Sequence, residues 1–166
     1  MCKYILCALA LSASALSAQT AVVTPTVETT AMIGLAQGQT AQLNLLNPGV
    51  LPPALGVICT AAVTYFDSSG SMLKTGTVSV APGKSGAVNL SADTDLNIAL
   101  GARRDIRAQI SVPAILPPAS PVSTPITAAS CSLIPTLEIF DSASGHTLVS
   151  LGGVHVIPSA VVTPAN

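Results

Sequence analysis

The sequence predicts an all-β fold, an antiparallel β-sandwich of short strands, from three observations. From Val57 to Phe66 the residues alternate between two faces. Val57, Cys59, Ala61, Val63 and Tyr65 fall on one, and Ile58, Thr60, Ala62, Thr64 and Phe66 on the other, the period of a half-buried strand. A turn phrase occurs twice between alternating runs, as Phe66-Asp67-Ser68-Ser69-Gly70 and as Phe140-Asp141-Ser142-Ala143-Ser144-Gly145. No stretch sustains a helical period, while 12 glycines and 13 prolines punctuate the chain at short intervals.

Composition narrows the class of function. The 166 residues suffice for one domain with a real core. Only 8% are charged and the net charge is −1; mean hydropathy is +0.66. Nucleic-acid binding is excluded as an expectation, because there is no basic stripe and no set of aromatics on which bases stack. So little charge favours self-association, or attachment to a protein or surface-polymer partner.

Residues 1–18 have the layout of a secretory signal peptide: Lys3, a short apolar run from Tyr4 to Leu11, then small residues from Ser12 to Ala18. Ala13-Ser14-Ala15 fits the cleavage rule, and cleavage after Ala18, the preferred reading, leaves Gln19 first. No later apolar run reaches the ~18 residues of a membrane span. The expected compartment is therefore periplasmic or secreted, with cell-surface association open. Cys2 and Cys7 leave with the signal. Cys59 and Cys131 remain, an even number in an exported chain, so a disulfide between them is the default.

Residues 19–33, Thr-rich and polar, read as an extended arm or a first edge strand, and the sandwich is expected over 34–157. The phrase Ala-x-Gly-x-Thr/Ser-x-x-Leu/Val-Asn-Leu occurs at 36–45 and again at 81–90, each time a Gly turn feeding a strand. Asn47-Pro48-Gly49 and Pro52-Pro53 make the loop before the central strand.

After that strand, Asp67-Ser68-Ser69-Gly70 supplies turn chemistry: Asp and Ser side chains bond nearby amides and Gly accepts positive φ. Asp67, Ser69, Gly70, Ser71 and Met72 also spell a DxSGSM string that resembles the metal site of von Willebrand factor A-type domains. That resemblance implies Mg²⁺ coordination by Asp67, Ser69 and Ser71, and a helix immediately afterwards. Oxygen ligands at this spacing suit the ion. Met72 to Val80 alternates with period two and contains Gly76, however, so the residues themselves predict a second strand and a hairpin.

Ser91 to Leu100 is ambiguous, with Ala92-Asp93-Thr94-Asp95 able to cap a short helical turn. A strand follows, with Ile106, Ala108, Ile110 and Val112 against Arg107, Gln109 and Ser111. Arg103, Arg104 and Arg107 are either a solvated strand edge, where basic residues discourage unwanted pairing, or a patch for an anionic ligand. Residues 113–130 form a proline-rich loop. Pro135 marks a bulge or an edge position in the next strand. The final strand spans about 147–157, and 158–166 are a tail. The expected core is Leu43, Leu45, Val57, Ala61, Val63, Val78, Val80, Ile106, Ile110, Leu137, Ile139 and Val149.

The phrase at 81–90 and the strand before it resemble exported bacterial modules of the immunoglobulin-like β-sandwich type. This resemblance implies a fold and no activity. The 72-residue separation of the two cysteines also resembles the inter-sheet pair of immunoglobulin domains, although the tryptophan that antibody domains place between them is missing. Together these imply an Ig-like antiparallel β-sandwich with one inter-sheet disulfide.

Catalytic sets are not legible. Asp141 and His146 flank one turn and serines are plentiful, but no nucleophile elbow accompanies them. His155 stands alone, and Glu28 and Glu138 lack the spacing of paired glycosidase acids. No cofactor or catalytic activity is expected. The sequence points to a structural or interaction module, with a carbohydrate- or ligand-binding sandwich as the alternative.

Overall fold

Period-two alternation dictates strands, and strands are what form. The computed structural model describes residues 25–49, 58–113 and 131–152. Nine strands run β1 (Thr26–Thr29), β2 (Ile33–Ala36), β3 (Gln39–Leu46), β4 (Cys59–Asp67), β5 (Met72–Val80), β6 (Ser85–Ser91), β7 (Arg103–Val112), β8 (Ile134–Asp141) and β9 (Thr147–Gly152) among those residues. Every pairing is antiparallel. One sheet has five strands in the order β1-β7-β4-β5, with β2 also pairing β7; the other has four, in the order β6-β3-β8-β9. The expected β-sandwich is the architecture observed.

Alternate residues of each sheet meet in the core. Cys59, Ala61, Val63 and Tyr65 of β4 and Ile106, Ala108, Ile110 and Val112 of β7 pack with Ala41, Leu43 and Leu45 of β3 and Leu137 and Ile139 of β8. Each fully buried Leu, Ile or Val contributes about 1.5–3 kcal/mol. Cys59 opens β4 and Cys131 precedes β8, so their disulfide, with Cα atoms 5.5 Å apart, ties one sheet to the other. Tyr65 crosses the same space. Its ring is buried and its hydroxyl donates to the Val88 carbonyl of β6 at 2.8 Å. Burial pushes the phenol pKa well above its ordinary value, against a smaller opposing effect of the Leu43 backbone.

The two copies of the Ala-x-Gly phrase end up side by side. Their strands, β3 and β6, pair with Leu43 opposite Val88 and Ala41 opposite Leu90. Asn47 then fastens the end of β3 to the β5–β6 turn: its side chain donates to the Val80 carbonyl at 3.1 Å, and its own carbonyl accepts the Gly83 amide at 2.8 Å.

Two glycines let β5 and β6 approach closely across the edge of the sandwich. Gly76 and Val78 lie on the inner face of β5, opposite Val63 and Ala61, and Gly86 and Val88 lie on the inner face of β6, opposite Leu45 and Leu43. A Cβ built on Gly76 would sit 2.8 Å from Cγ1 of Val88, and one on Gly86 would overlap Cγ2 of Val78. Each valine fills the space that the other strand's glycine leaves. Gly86→Ala should therefore destabilise by about 1–3 kcal/mol, the scale of overpacking, and adding Val78→Ala should restore part of the loss. Urea unfolding of the two single variants and the double variant measures this coupling; strictly additive losses would refute the interlock.

The structure differs from the sequence-based expectations in several places. Of 19–33, read as an extended arm or a first edge strand, Thr26–Thr29 forms an edge strand, so the sandwich expected from residue 34 begins earlier, because β7 is long enough to pair with β1 and β2 in succession. β7 is not an edge, as one reading of its arginines had it, but a central strand held by β4 on its other side. Val149, expected in the core, is 42% exposed because β9 is the outer strand of its sheet among the described residues, and Val78 is only partly buried at the β5–β6 corner. Pro135 is buried within β8 between β3 and β9. It stands opposite Leu45 of β3, and among the described residues the pairing with β9 begins at Thr136. Ser91 to Leu100, read as ambiguous, forms one capped turn and not a longer helix: the Thr94 amide donates to the Ser91 hydroxyl at 3.2 Å and the Asp95 amide to the Ser91 carbonyl at 3.1 Å, and Leu96 and Ile98 pack against the core. The expected signal peptide over 1–18, Val57, residues 114–130, His155 and the expected tail lie outside the described residues.

Candidate functional site

The strand registers bring most of the charged side chains to one end of the sandwich. Asp67 closes β4, Arg103, Arg104 and Asp105 open β7, Asp93 and Asp95 follow β6, and Asp141 closes β8. The Gly38 turn stands at the same end and links the segment after β6 to the turn after β8. Its amide donates to Asp93 Oδ1 at 2.9 Å, and its carbonyl accepts the Ser142 amide at 2.8 Å. Thr40 and Ser142 share a 2.8 Å hydroxyl bond.

The Asp67 string forms a hairpin turn between β4 and β5. Oδ1 of Asp67 accepts the Ser69 amide at 2.9 Å, the Ser69 hydroxyl at 2.6 Å and the Ser71 amide at 2.9 Å. The hydroxyls of Ser69 and Ser71 are 3.0 Å apart. Gly70 has φ +84°, a left-handed conformation that a side chain would strain. Met72, where the metal-site resemblance implies a helix, instead begins β5. The three candidate ligands do come together, and they bond to one another and to the turn backbone.

The second copy has the same chemistry, one residue longer. Oδ1 of Asp141 accepts the amides of Ala143 and Ser144, at 3.1 and 2.7 Å, and the Ser144 hydroxyl at 2.7 Å. In both turns the serine hydroxyl bond is the main cause that holds the aspartate pKa below its ordinary value, with turn amides adding to it. Asp141 is thus engaged by Ser144, while His146 is exposed and its amide donates to the Ser144 hydroxyl at 3.3 Å.

The remaining acids at this end also have partners. Asp95 takes Lys74 at 2.7 Å and the Ser91 amide at 2.8 Å. Partial burial works against its carboxylate, but those bonds and the Lys74 charge outweigh it and the pKa is lowered. Asp105 takes Arg103 at 3.1 Å. Arg107 stacks over the Phe66 ring, 5.2 Å from its centre, on the outer face of the five-stranded sheet. Arg104 lies near Asp67 and lowers its pKa slightly. The three arginines therefore share one end of β7 without converging on one point. Among the described residues no three of His, Cys, Asp and Glu are grouped to hold a metal ion.

This geometry does turn-building work. A carboxylate whose folded pKa is depressed contributes stability above its unfolded pKa, ~3.9 for Asp, and loses it as pH falls through the folded value. The Asp67→Asn, Asp141→Asn double variant should therefore melt a few degrees lower than the parent at pH 7, and the gap should close below about pH 4. Both groups are exposed, so the effect is small. Chelator and added Mg²⁺ should leave the parent's Tm unchanged; a saturable rise with Mg²⁺ that Asp67→Ala removes would establish a metal site instead.

What sequence reasoning did not single out is the common end itself. The turn aspartates were visible, but their association with Asp93, Asp95 and Lys74 follows from register and could be read only once β3, β6 and β8 were known to pair. Compared with protein-family models, with curated proteins and with solved structures, the chain matches none of them.

Proposed function

We propose that this protein is an exported, non-enzymatic structural or interaction module that works at the cell surface or in the periplasm. The observation that carries the reading is the buried Cys59–Cys131 disulfide joining the two sheets. Such a bond persists in an oxidising compartment and is rare in a reducing one. The exposed face of the five-stranded sheet adds support. Thr60, Thr64, Thr75, Thr77, Ser79, Gln109 and Ser111 share that face by register, a hydroxyl-rich surface with its charge gathered toward Arg107 at one end, suited to contact rather than chemistry. Among the described residues no helix is long and apolar enough to cross a membrane, which agrees with a released or surface-held chain.

A carbohydrate-binding sandwich is the second reading, favoured by those same hydroxyls and the Gln109 amide. Fractionating cells that express the full chain, followed by crosslinking and identification of what is captured, tests the proposal. Recovery from the cytoplasm with both thiols reduced would overturn it. A saturable shift of Tm with a neutral polysaccharide would select the second reading.

A further inference from the structure

Among the described residues each sheet presents two edges, and two of the four carry a device against pairing with another chain. On β5, Lys74 lies on the inward-facing row, opposite Tyr65, and is held by Asp95. A charge placed this way guards an edge. β5 and β6 also interlock through Gly76, Val78, Gly86 and Val88. The β1/β2 edge is divided into two strands of four residues, with Thr30 between them bonded to Ala108 through its amide and its hydroxyl. Short, interrupted edges are poor templates.

β9 differs. It reads Thr-Leu-Val-Ser-Leu-Gly, with no charge and no proline, and among the described residues it pairs only with β8. Leu148 is 51% exposed, and so is much of Val149, although Val149 stands opposite the buried Ile139 on the core-facing row. The register irregularity near Ile139 and Phe140 leaves Val149 to Gly152 as the regular stretch.

We infer that β9 is the docking edge for a second copy of this chain, paired antiparallel about a two-fold axis through Ser150. A dyad perpendicular to the sheet keeps each residue on its own face, so it must pass through a residue and not between two. Centred on Ser150, it sets Val149 opposite the partner's Leu151 and Leu151 opposite the partner's Val149. Both pairs are apolar and both are on the core-facing row. A second copy is the occupant that fits. The edge is neutral and complementary to itself, and a chain of net charge −1 has little repulsion to keep copies apart. The contact is short, below the size of a standard stable interface, so the dimer is weak and concentration-dependent.

This deepens the interaction-module reading by naming the partner. It rests on that reading for the compartment only; localisation tests the one and the assembly of purified chain tests the other. Sedimentation of the full exported chain should show its mass rising toward twofold as concentration increases, and Val149→Lys should hold it at the monomer mass with Tm little changed. Ser150→Cys should form a disulfide-linked dimer under air, whereas Thr77→Cys, on the β5 edge, should not. A chain that stays monomeric at every concentration would sink the inference. So would a dimer that survives Val149→Lys, or one captured through Thr77→Cys. Crosslinking of Ser150→Cys in cells to a different polypeptide, and not to itself, would assign the edge to a foreign strand and overturn self-pairing.

Discussion

Replacing Cys59 and Cys131 together by alanine is expected to lower the free energy of unfolding by about 4 kcal/mol. The bond closes a loop of 72 residues in sequence separation, and its loss frees the unfolded chain to occupy conformations the bridge forbids. A domain of this size has about 5–15 kcal/mol in total, so the variant should retain a much reduced margin at 25 °C. Alanine is preferred to serine because both sites are buried, and a hydroxyl left there without a partner adds a penalty of its own. Urea unfolding of parent and variant, each with and without reductant, measures the effect. Reductant should bring the parent to the variant's midpoint and leave the variant unmoved. A parent unaffected by complete reduction would show that the two sheets are held together by packing alone.

Tyr65→Ala should be comparably severe, at about 3–5 kcal/mol, the range for removing a large buried aromatic. Tyr65 is among the largest fully buried side chains, and it spans from β4 to the β6 backbone. Tyr65→Phe separates the two contributions. It keeps the ring and deletes only the hydroxyl bond to Val88, a loss of about 1 kcal/mol. If the two variants prove equally destabilised, the ring is not filling the core as described, and the hydroxyl bond must carry the whole effect.

Much of this fold was legible because period-two alternation and turn chemistry are local signals. The inward faces of β4 and β7 follow from Ala61, Val63, Ile106 and Ile110 alone, and the Asp67 and Asp141 turns from their Asp, Ser and Gly residues. Partnership was not legible. Nothing near Arg103 says that β1, β2 and β4 will take both sides of β7, and nothing near Val149 says that β9 will stand at the outside of its sheet. These depend on which distant strands meet, and a side chain's burial depends on that in turn. The charged end of the sandwich was hidden for the same reason. Lys74 and Asp95 are 21 residues apart in sequence, and only the way β5, β6 and the loop after it assemble brings them within reach.

The place of β7 also governs when the protein can exist. It is the seventh of nine strands in chain order, yet β1 and β2 have no other sheet partner among the described residues. β3, likewise, waits for β8 on one of its sides. A chain that leaves a ribosome or a translocation pore from its N-terminus must therefore hold its first strands unpaired until most of the sequence has emerged. During that interval the β4–β5 hairpin is the structure local enough to form, and pairings between distant strands come last and slowest. Birth of the fold is a terminal event, and the unpaired early strands are the part of the nascent chain that a holding chaperone has most reason to cover.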